Sequence, residues 1–461
     1  MENINIENFK GKHVHFIGIG GISMSGLAEI LHIKGYKVSG SDLQHSAITD
    51  RLKVNGIIVY EGHTGNNIDG ADLIVYTAAV KEDNPEMIET KKRMMPYMDR
   101  ATLLGQIMET FSYAIGVSGT HGKTTTTSML SIILDQANLD PTILVGGELD
   151  AIGGNVRTGN SDYFITEACE YVESFLKFHP YMALILNIDS DHLDYFRDLD
   201  HIYSAFVKYA ELVPSNGYII GCSDDPLVAK LMQGVQCRII SYGIDNNADW
   251  TAHDISYDDS GCATFRVKNN QNEIGLFILK VPGKHNVYNA LAALAASFTI
   301  GISIDVIKEA LLNFHGTHRR FEIKGTTDNG VIVIDDYAHH PTEVKATLKA
   351  ALNYPHNRIW CVFQPHTYTR TRKLFKEFVG AFSDVDSLII ADIYAAREVD
   401  TGDIHSKTLA NAIADNNQSC VYLPSFESIV TYLKKHLEPN DLVITMGAGN
   451  IYQVGESLLK S

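Results

Sequence analysis

The sequence SGTHGKTTTTS occupies Ser118–Ser128 and directly follows the apolar run Tyr113–Val117. A strand, a glycine-containing turn and a helix that begins with Lys-Thr are typical of nucleotide triphosphate sites, because free backbone N–H groups and the helix N-terminus point at phosphate oxygens. Lys123 would add a mobile cation, and the hydroxyl of Thr124 would bind a magnesium ion. The strict pattern requires glycine where Val117 stands, so the loop is a variant. A Gly/Thr-rich surface turn is the alternative interpretation.

A second glycine-rich loop lies near the start of the chain. The apolar run His13–Ile17 predicts a strand, GIGGISMSG follows it, and Lys37–Asp42 predicts the next strand. The glycine spacing, which begins at Gly18 and Gly20, is an imperfect dinucleotide fingerprint, and Asp42 stands about twenty residues on, where a carboxylate can bond a ribose hydroxyl. The residues alone predict a diphosphate at a helix end, and NAD is one alternative. Two separate phosphate loops predict two different nucleotides.

Apolar runs alternate with helical patterns along the whole chain, which is typical of parallel α/β sheets. The 461 residues are enough for about two to four domains. The alternating, turn-rich region Trp250–Leu279 predicts antiparallel hairpins added to the middle of the chain. Further strands at Val331–Ile334, Ile359–Phe363, Ser387–Tyr394 and Leu442–Met446 predict another α/β unit in the last third.

Composition excludes two classes of partner. The net charge of -17 argues against a nucleic-acid or anionic membrane surface, because counterion release requires clustered Lys and Arg. Six cysteines are scattered without a CxxC pair, which is typical of a reducing compartment. The amino-terminal MENINIENFKGK lacks an apolar signal region, and no apolar run reaches about 18 residues. A cytoplasmic protein is expected.

Polar side chains follow two buried strands in the middle third. Glu167 comes directly after the apolar Tyr163–Ile165, and DSDHLDYF, which contains His192, comes directly after Ala183–Ile188. Sites in α/β proteins lie at strand carboxyl ends, so this carboxylate and this imidazole are candidates to hold divalent cations against the phosphates. A solvated loop carboxylate is the better interpretation for each competing residue, namely Glu170, Glu173, Asp189, Asp191 and Asp194.

Two side-chain pairs are candidates to contact the nucleotide. Asn286 and Asn289 lie one turn apart at the head of the predicted helix Lys284–Ala296, so both amides share one face. Helix capping by Asn286 is the alternative. Arg319 and Arg320 are adjacent, so in extended chain only one of them can face a given site. A planar, permanent guanidinium charge suits a transferring phosphoryl group, and a surface arginine pair is the alternative.

Polar clusters follow two strands of the last third. DDYAHHPTE begins at Asp335, and Pro341 fits the first helical position of the segment after it. QPHTYTRTR follows Ile359–Phe363, and basic side chains there are suited to grip a carboxylate. A structural role for these His-rich loops is the alternative. The clusters contain Asp336, Tyr337, His339 and His340 in the first loop and His366, Arg370 and Arg372 in the second.

Nine motifs, taken in order, resemble those of the Mur ligases over nearly the whole chain: GIGGISMSG, GTHGKTTTT, TEACEYVESF, DSDHLDYF, GKHNVYNA, GTHRRFE, DDYAHHPTE, QPHTYTRTR and GAGN. The resemblance implies three α/β domains. A Rossmann-like UDP-sugar-binding domain would span residues 1–112, a central P-loop ATPase-type domain with added antiparallel strands residues 113–317, and a C-terminal Rossmann-like domain residues 318–461. It also identifies the first loop as a UDP site, so the NAD interpretation falls away.

The resemblance implies a role for each motif. The UDP-substrate contacts would be Gly18, Gly20, Gly21, Ser23, Met24, Ser25, Asp42 and His63. The ATP contacts would be Gly119, Thr120, His121, Gly122, Lys123, Thr124, Thr125, Asn286, Asn289, Arg320 and Asp336. Thr124 and Glu167 would hold one Mg²⁺ (or Mn²⁺) and His192 a second. Arg320, rather than Arg319, would reach the γ-phosphate, so Lys123, Glu167, His192 and Arg320 form the catalytic set. Tyr337, His366 and Arg370 would form an L-alanine pocket.

Within the family, one position favours the branch that adds L-alanine. Several sister ligases carry a carbamylated lysine where this chain has Phe206, and the L-alanine-adding branch is expected to lack it. The implied reaction joins L-alanine to the lactyl carboxylate of UDP-N-acetylmuramate through an acyl phosphate, at the expense of ATP, in peptidoglycan precursor synthesis. The enzyme would be a monomer or a homodimer. Three rivals remain: the family's murein-tripeptide recycling ligase, a dinucleotide-dependent oxidoreductase, and a nucleotide-sensing module without catalysis.

Overall fold

The computed structural model describes residues 4–396, 398–416 and 418–460, which form three α/β units, each built on its own sheet. The first three residues of the predicted UDP-sugar domain, and Arg397, Asn417 and Ser461 of the predicted C-terminal domain, lie outside the described residues. None of the helices in the described part of the chain is long and apolar enough to span a bilayer.

The first sheet has five parallel strands in the order β3-β2-β1-β4-β5. Its elements are β1 His13–Ile17, α1 Ile22–Ile33, β2 Lys37–Asp42, α2 Ala47–Val54, β3 Ile58–Glu61, β4 Leu73–Tyr76, α3 Pro85–Lys92, β5 Tyr97–Asp99 and α4 Arg100–Glu109, with 3-10 turns at Ile6–Phe9 and Gly65–Ile68. The strand order reverses between β1 and β4, and the glycine-rich loop follows β1. That loop therefore lies at the switch point where α/β sheets bind ligands.

The middle sheet has ten strands in the order β15-β14-β13-β12-β11-β10-β6-β9-β7-β8. Its strands are β6 Tyr113–Ser118, β7 Thr142–Leu149, β8 Gly154–Arg157, β9 Tyr163–Glu167, β10 Met182–Ile185, β11 Tyr218–Cys222, β12 Arg238–Gly243, β13 Trp250–Tyr257, β14 Cys262–Asn269 and β15 Asn272–Pro282. Its helices are α5 Lys123–Gln136, α6 Leu199–Glu211, α7 Pro226–Met232, α8 Lys284–Thr299 and α9 Ile304–Leu312, with 3-10 segments at Asp150–Ile152 and Tyr171–Lys177. Strands β13 to β15 and the pair β7–β8 are antiparallel, and the rest are parallel.

The third sheet has six strands in the order β16-β17-β21-β18-β19-β20, of which only β16 runs antiparallel among the described residues. Its strands are β16 Glu322–Thr326, β17 Ile332–Asp336, β18 Ile359–Phe363, β19 Ser387–Ile390, β20 Cys420–Tyr422 and β21 Leu442–Met446. Its helices are α10 Pro341–Ala351, α11 Tyr368–Lys373, α12 Phe375–Val379, α13 Ser406–Ala414, α14 Phe426–His436 and α15 Tyr452–Leu459.

The α/β class and the three-domain architecture are confirmed, and the inserted hairpins lie at β13–β15 as predicted. The strand predicted over Ser387–Tyr394 is too long, since it ends at Ile390. The β7–β8 hairpin has no clear alternating pattern, because Gly146 and Gly147 interrupt the apolar run of β7. The domain junctions after residues 112 and 317 stay predictions.

The units are joined in different ways. One buried apolar cluster contains Phe16 and Leu104 from the first unit together with Phe206 and Tyr209 from the middle unit. The buried core between the third sheet and its helices contains only C-terminal residues, with Leu193 of the middle unit packed at its edge. The first two units therefore share a hydrophobic core, whereas the third has its own.

Candidate active site

The predicted strand, turn and helix of the phosphate loop are present. Gly119 and Gly122 have φ angles of +140° and +84°, a region that side chains with a Cβ rarely adopt. A Cβ at Gly122 would also lie 2.6 Å from Oδ1 of Asn289. Helix α5 begins at Lys123, directly after this glycine. The backbone is thus shaped in advance, with the helix N-terminus available to an anion.

The ammonium group of Lys123 is held inside the loop. Its Nζ donates to the carbonyl oxygens of Gly119 and Thr120 and to the Glu170 carboxylate, 3.0 Å from Oε2. Burial alone would lower the pKa of Lys123, but the neighbouring carboxylates, above all Glu170, raise it overall. Lys123 is therefore a cation. Glu170, expected to be a solvated loop residue, is 2% exposed and is its ion-pair partner.

Thr124 and Glu167 each lie against a glycine of strand β7. The Glu167 carboxylate accepts a hydrogen bond from the Gly146 N–H at 2.7 Å, and a Cβ on the next residue, Gly147, would lie 3.1 Å from Cγ2 of Thr124. A hydroxyl and a carboxylate are the oxygen donors that Mg²⁺ prefers. Both residues therefore carry donors of this kind near the phosphate loop.

His192 lies after strand β10 with a φ angle of +51°. Its ring centroid is 4.7 Å from that of Tyr171, and its Nε2 is 3.8 Å from Oδ2 of Asp191. Asp191 in turn accepts a hydrogen bond from Nε of Arg370 at 3.0 Å. Burial would raise the pKa of Asp191, but Arg370 and the nearby histidines hold it well below its usual range. His192 thus sits beside an ionised carboxylate that joins the middle and C-terminal units.

A cavity of about 540 Å³ lies next to the phosphate loop, between the middle and C-terminal units. Its size is that of a small-molecule site. Predicted ATP residues from both units line it, namely His121, Gly122, Thr125, Asn286, Asn289, Arg320 and Asp336. Gly119, Thr120, Lys123 and Thr124 belong to the adjoining loop rather than to the cavity wall.

Asn286 and Asn289 are joined to each other and to helix α5. Nδ2 of Asn289 donates to Oδ1 of Asn286 at 3.0 Å, and the Thr126 hydroxyl donates to Oδ1 of Asn289 at 3.2 Å. Helix α8 begins after Gly283, and Asn286 donates its Nδ2 to the Pro282 carbonyl at 2.7 Å. The capping alternative for Asn286 is therefore wrong. The amides instead order the head of α8 against the phosphate loop.

His285 also lines the cavity, and the sequence analysis missed it. Burial lowers its pKa to about 4, with a further contribution from Arg320. It is therefore a neutral imidazole at pH 7. Its position directly before Asn286 in the GKHNVYNA motif was the available signal.

Arg319 and Arg320 have different environments. The Arg319 guanidinium donates to Asp335 at 2.8 Å and to the carbonyl oxygens of Gly447 and Gly449 at 2.6 and 3.0 Å. These contacts tie it to the third sheet. Arg320 instead lines the cavity, so the surface-pair alternative is wrong for both.

Asp336 ends strand β17 beside the cavity. Burial raises the pKa of its carboxyl to about 6, although Arg320 opposes the rise. Its two oxygens accept the backbone N–H groups of Phe321 and Ala338 at 2.8 and 2.7 Å. The carboxyl group thus connects Phe321, which directly precedes β16, to the loop after β17.

The three residues predicted for L-alanine belong to one cluster. Nη1 of Arg370 lies 3.0 Å from Nδ1 of His366. The ring of His339 connects the other two, at 5.8 Å from His366 and 5.4 Å from Tyr337 between centroids. Arg372, the other basic candidate in this loop, forms an exposed ion pair with Asp403 and is not part of the cluster.

The first glycine-rich loop is in contact with Asp42 at the end of β2. The Gly20 N–H donates to Oδ2 of Asp42 at 2.9 Å, and Gly21 directly precedes α1. Gly18 has a φ angle of +83°. Arg100, which the sequence analysis missed, donates from the N-terminus of α4 to the Ser23 hydroxyl at 2.9 Å. A basic side chain therefore reaches this loop.

Two residues of this loop turn inward. The side chains of Met24 and Ser25 are buried at 2% and 0% exposure, and the Ser25 hydroxyl donates to the Ile22 carbonyl. Only their backbone can therefore face a diphosphate. His63 lies nearby, with Nδ1 at 3.0 Å from the Ser41 hydroxyl and at 3.4 Å from the buried Glu86 carboxylate.

Polar contacts join the phosphate loop to helix α10. His121, Asp189 and His340 bring one nitrogen or oxygen each to within 4.8 Å of one another, as a metal site would require. His121, however, already lies 3.1 Å from Asp189 and 3.3 Å from Glu343, and the Thr342 hydroxyl donates to Asp189 at 2.8 Å. We assign these atoms to a network of ion pairs and hydrogen bonds between the two units.

Comparison with known proteins covers all three units. Family models described as "Mur ligase family, catalytic domain", "Mur ligase middle domain" and "Mur ligase, glutamate ligase domain" match residues 13–112, 117–297 and 319–449. A curated relative from Acetivibrio thermocellus, named UDP-N-acetylmuramate–L-alanine ligase, is 58% identical over 100% of this chain and 98% of its own length.

Solved structures show the same arrangement. The crystal structure of UDP-N-acetylmuramate-alanine ligase from Thermotoga maritima has a TM-score of 0.83 at 28% identity, over 97% of this chain and 98% of that one. A murein peptide ligase from Psychrobacter arcticus has a TM-score of 0.75 at 28% identity, over 98% of each chain. By its sequence and its three domains, the chain belongs to the Mur ligase family.

Proposed function

We propose that the chain joins L-alanine to the lactyl carboxylate of UDP-N-acetylmuramate, with ATP converted to ADP and phosphate. The observation that carries the proposal is the shared cavity, in which Arg320 and Asp336 of the C-terminal unit face the phosphate loop of the middle unit. The 58% identical relative with this activity in its name, matched over 98% of its length, supports the same substrate.

The reaction couples an uphill amide bond to phosphoryl transfer. The lactyl carboxylate attacks the γ-phosphorus of ATP, which gives an acyl phosphate and ADP. The amine of L-alanine then attacks the acyl carbon, and the tetrahedral intermediate collapses with loss of phosphate. Carboxylate and triphosphate repel each other, so positive charge near the transferring group accounts for much of the acceleration.

The chain supplies this charge from two units. Lys123 is a cation in the phosphate loop, and releasing it from Glu170 would allow it to contact the terminal phosphates. Arg320 is free of the β-sheet contacts that occupy Arg319 and lines the cavity, which supports it as the γ-phosphate contact. Asn286, Asn289 and Asp336 line the same cavity and would contact the nucleotide.

Thr124 and Glu167 would hold one magnesium ion, and His192 a second. Bound there, the ions would neutralise negative charge on the phosphate and carboxylate oxygens. The hydroxyl and carboxylate donors beside the phosphate loop support this assignment. The first loop would bind UDP through the backbone of Gly18–Ser25, with Asp42 and His63 near the uridine.

The two domain junctions follow the sheets, and we place them after residues 112 and 317. The C-terminal domain would close over the ATP site and exclude water from the acyl phosphate. Its contacts with the middle domain include polar ones, such as those of Arg370 with Asp191 and Thr342 with Asp189, which supports a docking that can be reversed. We further propose a cytoplasmic monomer or homodimer.

The substrate assignment is tested by ADP release from the wild-type enzyme with UDP-N-acetylmuramate and a panel of amines. L-Alanine should give rapid turnover, whereas glycine and L-serine should be slower. Faster ADP release with the tripeptide of murein than with L-alanine would identify the recycling ligase instead. ADP release with neither amine, or a change in nicotinamide absorbance, would reject the ligase activity.

Replacing His366 by alanine should raise the KM for L-alanine by about tenfold or more, because one hydrogen-bonding group of the proposed pocket is lost. The KM for ATP should change less than about twofold, since His366 does not line the nucleotide cavity. Initial rates with each substrate varied in turn measure both constants. Arg372→Ala, which removes an exposed side chain of the same loop, is the matched control. Equal rises in both constants would remove His366 from the pocket.

A further inference from the structure

Glu343 is a largely buried carboxylate. It contacts His121 of the phosphate loop and Arg320, which lies just before β16. It lies in the first turn of α10, and its side chain is 14% exposed. Oε1 lies 3.3 Å from Nδ1 of His121 and 4.0 Å from Nη1 of Arg320. Oε2 accepts the backbone N–H of His339 at 3.1 Å. One C-terminal side chain therefore contacts two groups of the proposed ATP site.

His121 lies between two carboxylates from different units. Its Nδ1 faces Glu343, and its Nε2 lies 3.1 Å from Oδ2 of Asp189, which belongs to the middle unit. An imidazole can donate to both only when both nitrogens are protonated. Burial would lower the pKa of His121, but the hydrogen bonds to Asp189 and Glu343 raise it to about 9. His121 is therefore an imidazolium at neutral pH.

The other charged groups around His121 do not change this conclusion. The ring of His340 is 4.8 Å away between centroids, and burial lowers its pKa, so it stays neutral. Nη1 of Arg320 lies 4.0 Å from Oε1 of Glu343, the oxygen that His121 also contacts. Because both cations share one carboxylate, the position of Glu343 sets the distance between the phosphate loop and Arg320.

We propose that Glu343 is a positioning residue of the ligase reaction, which aligns the phosphate loop with Arg320 through a charged hydrogen bond to His121. The pair can form only when α10 is docked on the middle domain. Docking of the C-terminal domain would thereby order the loop that binds ATP. This inference rests on the proposed function, since it takes the loop and Arg320 as ATP contacts.

A purely local role for Glu343 would be to cap α10. The side chains of His340 and Glu343 form a capping box at the start of this helix. Glutamine also serves in the Glu position of a capping box. Glu343→Gln therefore keeps the cap and the shape of the side chain but removes the charge, which separates the two roles.

The test compares wild type, Glu343→Gln and the control Glu377→Gln, an exposed carboxylate on α12 of the same unit. We expect kcat/KM for ATP to fall about tenfold in Glu343→Gln, the equivalent of about one pKa unit of lost charge interaction. The Kd for UDP-N-acetylmuramate should not change, whereas the thermal unfolding temperature should fall slightly, because the same charge interaction stabilises the folded chain. The control variant should match wild type in all three quantities.

A purely structural role for Glu343 would not shift the pH dependence of kcat/KM for ATP, so this pH profile distinguishes the two roles. In wild type, kcat/KM for ATP should fall as the pH rises through about 9, because His121 loses its proton there. In Glu343→Gln one of the two acceptors that raise this pKa is uncharged, so the fall should begin about one unit lower. An unshifted profile would overturn the proposal.

A double-mutant cycle with His121→Gln tests whether Glu343 acts through His121. If it does, the double variant should lose no more than the larger of the two single losses. Additive losses, or an equal loss of UDP-N-acetylmuramate binding, would overturn the proposal. Turnover of L-alanine by wild type is measured first, so a failure of the ligase activity is distinguished from a failure of this inference.

Discussion

Lys123→Ala should lower kcat for ADP release by about a thousandfold or more, which corresponds to about 4 kcal/mol of lost transition-state stabilisation. The reason is that Lys123 places an ammonium group within the phosphate loop, where it would contact the terminal phosphates. Binding of UDP-N-acetylmuramate should survive, because its proposed site is built on the first sheet. Calorimetric titration of the UDP substrate and a coupled ADP assay measure the two effects.

The effect of Lys123→Ala on the stability of the fold must be separated from its effect on turnover. Glu170 is 2% exposed, and removal of its partner leaves a buried charge, which typically costs about 3–5 kcal/mol. The double variant Lys123→Ala/Glu170→Gln removes both charges and should recover much of the thermal stability without recovering turnover. Lys268→Ala, an exposed lysine on β14, is the control and should behave as wild type. Loss of UDP-substrate binding in the double variant would contradict the assignment of the two nucleotides to separate domains.

Gly105→Ala should destabilise the protein by about 3 kcal/mol. Gly105 lies within α4, where alanine would ordinarily stabilise a helix by about 1 kcal/mol. In this protein, however, a Cβ at Gly105 would lie 1.8 Å from the carbonyl oxygen of Lys177 in the middle unit. The helix and that backbone segment would have to separate, which would open the core that the first two units share. Urea unfolding measures the change.

Whether Gly105→Ala raises or lowers the free energy of unfolding identifies the cause of the change. Helix propensity alone predicts a more stable variant, so any large loss must come from the close approach of the two units. Gly380→Ala is the control, because the atom nearest to its Cβ would be 4.0 Å away. We expect no loss there. A stable Gly105→Ala variant would show that the first two units do not pack as tightly as the structure indicates.

Much of the local structure was predictable because it depends on neighbours in the chain. The strands His13–Ile17, Lys37–Asp42, Ile359–Phe363 and Leu442–Met446 have the predicted bounds. Apolar residues make up most of His13–Ile17, Ile359–Phe363 and Leu442–Met446, and turn residues bound them. The β7–β8 hairpin was missed, since the glycines that lie against Thr124 and Glu167 also remove its apolar pattern.

The same distinction between local signals and contacts between distant residues applies to the site residues. The phosphate loop and Asp42 could be proposed from the sequence because glycine spacing and strand ends are local signals. Glu170 was interpreted as a solvated loop carboxylate and Glu343 was missed, since each acquires its role from a partner far away in sequence, Lys123 and His121 respectively. Arg100 was missed for the same reason, because it reaches Ser23 from a helix at the other end of the first unit.

The sequence alone predicted two phosphate loops and, from the alternation of its elements, parallel α/β sheets. It also contained the motif order of the Mur ligases. These depend on backbone conformation and apolar periodicity, which a short segment carries by itself. The tertiary structure decided that Arg320 lines the cavity while Arg319 is bound to the third sheet. It also decided that the first two units share one core and that charged groups dock the third. Packing and ion pairing depend on which surfaces meet, and residues distant in sequence meet only in the folded chain.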